Sequence, residues 1–172
     1  YSVAMLLCEH FPSISSSWDV QILGTDLSRQ AIDYARAGRY RRLEVNRGLP
    51  ASMLLKYLTR EGEEWKIARS LRDLCEFGDM NLCDPAATLP RFDLVLLRNV
   101  LLYFPPEDRT ALFRTAHRQI APDGYLLLGA AEQAEDSTSL FEPQFARDCY
   151  FYRPTQIASI SRPPSAEQAS PA

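Results

Sequence analysis

A chain of 172 residues, 46% hydrophobic and 24% charged, has enough apolar material for a proper core and is expected to form one compact unit. Its net charge of -3 gives no reason to expect nucleic acid as a partner, and Cys8, Cys75, Cys83 and Cys149, with no CxxC spacing, argue against a zinc site or a disulfide framework. The apolar stretch from Phe92 to Phe104 is thirteen residues and carries Asp93 and Arg98, which excludes a membrane span of about 20 residues.

In chain order, VAMLLCEHF suits a helix, and it is too short and too poor in basic residues to be a leader peptide, so a cytoplasmic protein with reduced thiols is expected. DVQILGTD, residues 19 to 26, reads as a buried strand. Ser28 then caps a helix through Ala37, and Gly38 supplies the left-handed stop. SMLLKYL gives a further helix after Pro50. Between Thr59 and Leu82, short β-prone pieces (WKIA, LCEF) alternate with polar turns, as in a small antiparallel subdomain at about 59–79.

FDLVLL is a continuous apolar run of the kind found in a strand buried on both faces. Pro106, Glu107 and Asp108 open the next helix, whose apolar face is Leu112, Phe113, Ala116 and Ile120. APDGYLLLGA is a turn and a strand, and FARDCYFYRP alternates as an edge or hairpin strand does. The last residues, 154–172, rich in Pro, Ser and Ala, read as a disordered tail or a linker. Charge is uneven: eight basic residues stand against two acidic ones from Ser28 to Arg60, and one against six from Asp123 to Tyr150. The basic flank is either a dock for an acidic partner or a solvated face.

Alternating strands and helices predict an α/β fold, a parallel sheet with helices on both faces, and in such sheets ligands sit beyond the carboxyl ends of the strands. Four of these ends are polar. Asp26 follows QILGT, Asn81 and Asp84 follow EFGDM, Arg98 and Asn99 follow FDLVLL, and Gly129 to Glu132 follow YLLL. A carboxylate at Asp26 can accept both hydroxyls of a ribose, or it can merely support the Ser28 cap. Asn81 can meet an adenine edge or close a turn; Arg98 can be a surface ion-pair partner; Tyr103 can be a core aromatic with its hydroxyl at the rim.

GTDLS, ARAGRY, RGLP, NLCDP, FDLVLLRNVLLYF and PDGYLLLG, in this order, resemble the CheR family of chemotaxis receptor methyltransferases from Tyr1 to about Arg153. The resemblance implies a Rossmann-like class I methyltransferase sheet, with S-adenosylmethionine as cofactor and receptor glutamates as the methyl acceptors. It implies that Asp26 holds the ribose, that Asn81 and Leu82 lie along the adenine, and that Arg98, Asn99 and Tyr103 line the methyl-transfer site, Asn99 on the cofactor side.

The implied partner is a chemoreceptor cytoplasmic domain or another glutamate-bearing protein. YSVAM matches the end of the family's first strand-and-loop segment, so the first strand, the cofactor loop and the N-terminal helical domain are expected to be missing. That expectation makes weak activity, or a domain-exchanged oligomer, natural for the chain alone. GAAE at 129–132 stands where many members have GHSE. A non-catalytic interaction or sensory module is the alternative; a dinucleotide oxidoreductase lacks its GxGxxG.

Overall fold

The computed structural model describes residues 1–82, 84, 89–134 and 139–156, with the backbone alone at 15 and 16. The chain divides into two compact units, Tyr1–Asp84 and Pro85–Ala172, and each described sheet closes its hydrogen bonds within one of them. The expected linker or tail lies almost wholly outside the described residues.

The first unit opens with α1 (Ser2–His10) and a short α2 (Ile14–Ser17). β1 (Ile22–Asp26) follows; it is shorter than the predicted strand and half-buried, with its last two residues exposed. Ser28 caps α3 (Arg29–Ala37), its hydroxyl accepting the Ala31 N–H at 3.3 Å, and Gly38 ends the helix at φ 62. That torsion is one a side chain resists, so the glycine is where a left-handed stop requires it.

β2 (Arg39–Arg41), α4 (Arg42–Val45), α5 (Ala51–Tyr57), β3 (Leu58–Glu61), β4 (Glu64–Ile67), α6 (Arg69–Arg72) and β5 (Cys75–Asp79) complete the unit. β2, β4 and β3 form an antiparallel sheet, tied by Arg39 to Glu61 at 2.6 Å. The expected subdomain at 59–79 is therefore redrawn. Its hairpin is β3 and β4, its third strand comes from 39–41, and LCEF belongs elsewhere, because β5 pairs in parallel with β1, Ile22 against Cys75 through Asp26 against Asp79. The core of this unit gathers Ala4, Met5, Val45, Tyr57, Leu58, Ile67 and Leu71, so α1 and α5 close over the hairpin.

In the second unit β6 (Phe92–Leu97) leads through a single 3₁₀ turn at Leu101–Tyr103 into α7 (Pro106–Gln119), then β7 (Ile120–Leu128), β8 (Phe141–Ala146) and β9 (Cys149–Pro154). The strand order is β6-β7-β9-β8, parallel between β6 and β7 and antiparallel thereafter. Two parallel strands joined by a helix form the crossover that antiparallel hairpins do not need. Arg147 and Asp148 turn the β8–β9 hairpin with φ 48 and 61, the paired positive torsions of a two-residue turn.

α7 buries Leu112, Phe113, Thr115 and Ala116, while Ile120 opens β7 in place of ending the helix. β6 is not buried on both faces, as its apolar run suggested. Val95 and Leu97 turn inward, but Leu94 and Leu96 on the opposite face are 41% and 42% exposed. The pleat explains the difference, since alternate residues of one strand meet different neighbours.

Candidate functional site

Parallel pairing fixes which chain ends come together. In the first unit Asp26 and Asp79 are register partners, and the Met80 N–H donates to the Asp26 carbonyl at 3.0 Å, so Asn81 and Leu82 continue beside the exposed end of β1. The Asp26 carboxylate is exposed, and its Oδ1 accepts the Ser28 N–H at 2.8 Å. That bond is the turn support foreseen from sequence, and it also sets the orientation of the carboxylate. Asn81 is exposed and Leu82 half-buried. Cavities of about 720 and about 480 Å³ lie elsewhere in this unit, along α6 and β5 and beneath α1. Asp26 lines neither of them.

In the second unit β6 and β7 end side by side, Leu97 against Leu128. Arg98 and Asn99 therefore leave the sheet next to the segment from Gly129 to Glu132. Arg98 is exposed, and Asn99 takes φ 60, a left-handed torsion that asparagine tolerates better than most residues. Tyr103 is 85% exposed, which removes the core-aromatic alternative. Leu101, at 3% exposure, anchors the turn in the core beneath it, whereas Leu102 is 59% exposed and Val100 and Phe104 are half-buried.

Glu132, which the sequence showed only as the end of the polar segment after YLLL, forms a buried clamp. Only 7% exposed, it accepts the Asn99 N–H and the Gly129 N–H at 2.7 Å on Oε2 and the Leu101 N–H at 2.8 Å on Oε1. Burial pushes its carboxyl pKa up, but the amide donors of Asn99, Gly129, Leu101 and Val100 outweigh burial and hold it below the ordinary glutamate value. Gly129 is packed closely against the clamp, because a Cβ would lie 2.5 Å from Glu132 Oε2 and 3.0 Å from the Asn99 nitrogen. The one sequence signal was an acid three residues past a strand-ending glycine.

Among the described residues no group of three His, Cys, Asp or Glu is placed to hold a metal, and Cys8, Cys75 and Cys149 are free thiols. His117 is occupied structurally, its Nε2 3.0 Å from the Thr155 carbonyl and its ring against Phe141.

The mixed α/β architecture, with the parallel pairs β1–β5 and β6–β7, is that of the Rossmann-like class I methyltransferase fold. A variant of LepI, solved in complex with SAH and a substrate analogue, shares the fold at a TM-score of 0.51 and 10% identity, over 89% of this chain and 40% of that one. The particular family follows from the sequence: residues 1–150 match the CheR methyltransferase SAM-binding domain, and the chain belongs to that family. The cofactor that goes with this membership is S-adenosylmethionine.

Chemotaxis protein methyltransferase 1 of Pseudomonas aeruginosa is 40% identical over 114 residues, 66% of this chain and 42% of that protein. The chemotaxis protein methyltransferase of Vibrio parahaemolyticus is 34% identical over 146 residues, 83% of this chain and 52% of that protein. The chain thus spans about half the length of these curated relatives.

Proposed function

We propose that the protein transfers a methyl group from S-adenosylmethionine to glutamate side-chain carboxylates of a chemoreceptor cytoplasmic domain, giving glutamyl methyl esters. The observation that carries this is the family match over residues 1–150, and the chemistry of the strand ends agrees with it. Asp26, an exposed carboxylate held in orientation by Ser28, suits the two hydroxyls of a ribose. Asn81 and Leu82, on the neighbouring strand end, suit a base edge and its apolar face. When bound, the cofactor supplies a methyl group made electrophilic by its sulfonium.

The remaining work is positioning. A free glutamate, with a pKa of ~4.3, is ionised at neutral pH and needs no general base. Arg98 orients that carboxylate by a charge-assisted hydrogen bond, and the Tyr103 hydroxyl holds it in line. Val100, Leu102 and Phe104 keep water from the reacting charges. Accordingly Tyr103→Phe in the full-length protein is expected to lower kcat about tenfold or more while the Kd for S-adenosylhomocysteine, by calorimetry, changes less than twofold. An equal loss of affinity would contradict the role. Absence of any S-adenosylhomocysteine binding to the full-length protein would instead favour a non-catalytic scaffold.

A cytoplasmic location fits this function, and no helix among the described residues is long and apolar enough to cross a membrane. A domain-exchanged oligomer belongs to the same proposal. Among the described strands β1 pairs only with β5 and β6 only with β7, leaving on each an edge that a strand from another chain can fill. Light scattering on this chain is expected to give a mass above 19.5 kDa that rises with concentration, and a constant monomer mass would exclude exchange.

A further inference from the structure

The function proposed above has no use for a buried acid, yet Glu132 is buried and both of its oxygens are committed. It binds two separate segments at once: the turn after β6, through the amides of Asn99 and Leu101, and its own strand end, through Gly129. The turn is not one the backbone favours unaided, since Asn99 sits at φ 60. Arg98 precedes the first clamped amide by one residue, and Tyr103 follows the second by two. Between them Leu101 is locked into the core at 3% exposure, so the clamp and the core hold the same turn from two sides. Three charge-assisted bonds to one carboxylate are stronger and more directional than the solvent contacts an exposed turn would otherwise make.

We infer that Glu132 is a positioning residue for methyl transfer: by gripping the Asn99 and Leu101 amides it sets the backbone from which Arg98 and Tyr103 reach the incoming carboxylate. This rests on the function proposed above. Glutamine cannot replace the acid without loss. Whichever way its amide is turned, an NH₂ group faces at least one backbone N–H, so part of the clamp becomes a contact between two donors. Asp26 and Asn81, assigned to the sugar and base, belong to the other unit and lie outside the clamp.

The experiment compares wild type, Glu132→Gln, Tyr103→Phe and the double variant in the full-length protein. It reads kcat, the calorimetric Kd for S-adenosylhomocysteine and the amide proton shifts of Asn99, Leu101 and Gly129. Expected for Glu132→Gln are a kcat about tenfold lower, a Kd changed less than threefold, and upfield movement of those amide protons as the carboxylate is lost. Because the acid acts through the turn that presents Tyr103, the double variant is expected to be no more than about twofold slower than the slower single variant.

Wild-type kcat in Glu132→Gln overturns the inference. So do losses that multiply in the double variant, which is what a merely structural role gives. Should Glu132→Gln fail to fold, Gly129→Ala presses a methyl group into the same clamp with the carboxylate retained. A kcat loss there supports the inference, and an unchanged kcat overturns it. If the wild type neither binds S-adenosylhomocysteine nor methylates, it is the proposed function that fails, and unperturbed amide shifts in Glu132→Gln would separately refute the clamp.

Discussion

Phe113→Ala is expected to lower the unfolding free energy by about 3–5 kcal/mol, read from the midpoint of urea denaturation. Phe113 is fully buried, and its ring meets Phe141 edge-on with centroids 6.2 Å apart. It thus links α7 to β8, the outer strand of its sheet, with buried Leu112 and Ala116 beside it on the helix. Truncation removes transfer energy and leaves a cavity that backbone on both sides cannot readily close, which is why the cost should exceed that of a half-buried aromatic. A loss below about 1 kcal/mol would mean that the helix is not packed on the sheet as described.

Asp26→Ala is expected to weaken S-adenosylhomocysteine binding to the full-length protein by about 10- to 100-fold, the worth of a charge-assisted hydrogen bond of about 1.5–3 kcal/mol. The same carboxylate accepts the Ser28 N–H, so alanine also disturbs the turn that starts α3. Asp26→Asn separates the two roles: it keeps one acceptor oxygen for Ser28 and loses the charge and the second acceptor. Calorimetry on both variants should show the asparagine protein binding with an intermediate loss. If both bind as the wild type does while their stability falls, Asp26 is a turn residue and nothing more.

Local punctuation was the legible part of this sequence. Ser28 and Gly38 bracket α3, and Pro106 opens α7, because caps and first turns depend on residues a few positions apart. The assignment of LCEF to the antiparallel subdomain failed because its partner is β1, some fifty residues upstream, and nothing in a short β-prone piece names a distant partner. FDLVLL misled for a related reason. A continuous apolar run signals two apolar faces, but whether both are covered depends on neighbours the run does not contain.

The same division holds for the proposed site. Asp26, Asn81, Arg98, Asn99 and the segment ending in Glu132 were visible as polar strand ends, a pattern local to each strand, whereas the assignment of Tyr103 came from the family resemblance. The clamp that Glu132 forms was not visible, since the Asn99 and Leu101 amides it accepts lie more than thirty residues away and reach its carboxylate only after β6 and β7 have paired.

The left-handed torsion at Asn99 restricts what mutagenesis of that position can teach. Alanine there would combine loss of the side-chain amide with a backbone penalty of about 1–2 kcal/mol, so a damaged variant would say little about ligand contacts. Glycine removes the amide without that penalty, and aspartate keeps a short polar side chain compatible with the torsion. Comparing those two replacements isolates chemistry from geometry, and a genetic screen over all twenty amino acids should return a short permitted set imposed by the peptide chain before any cofactor is considered.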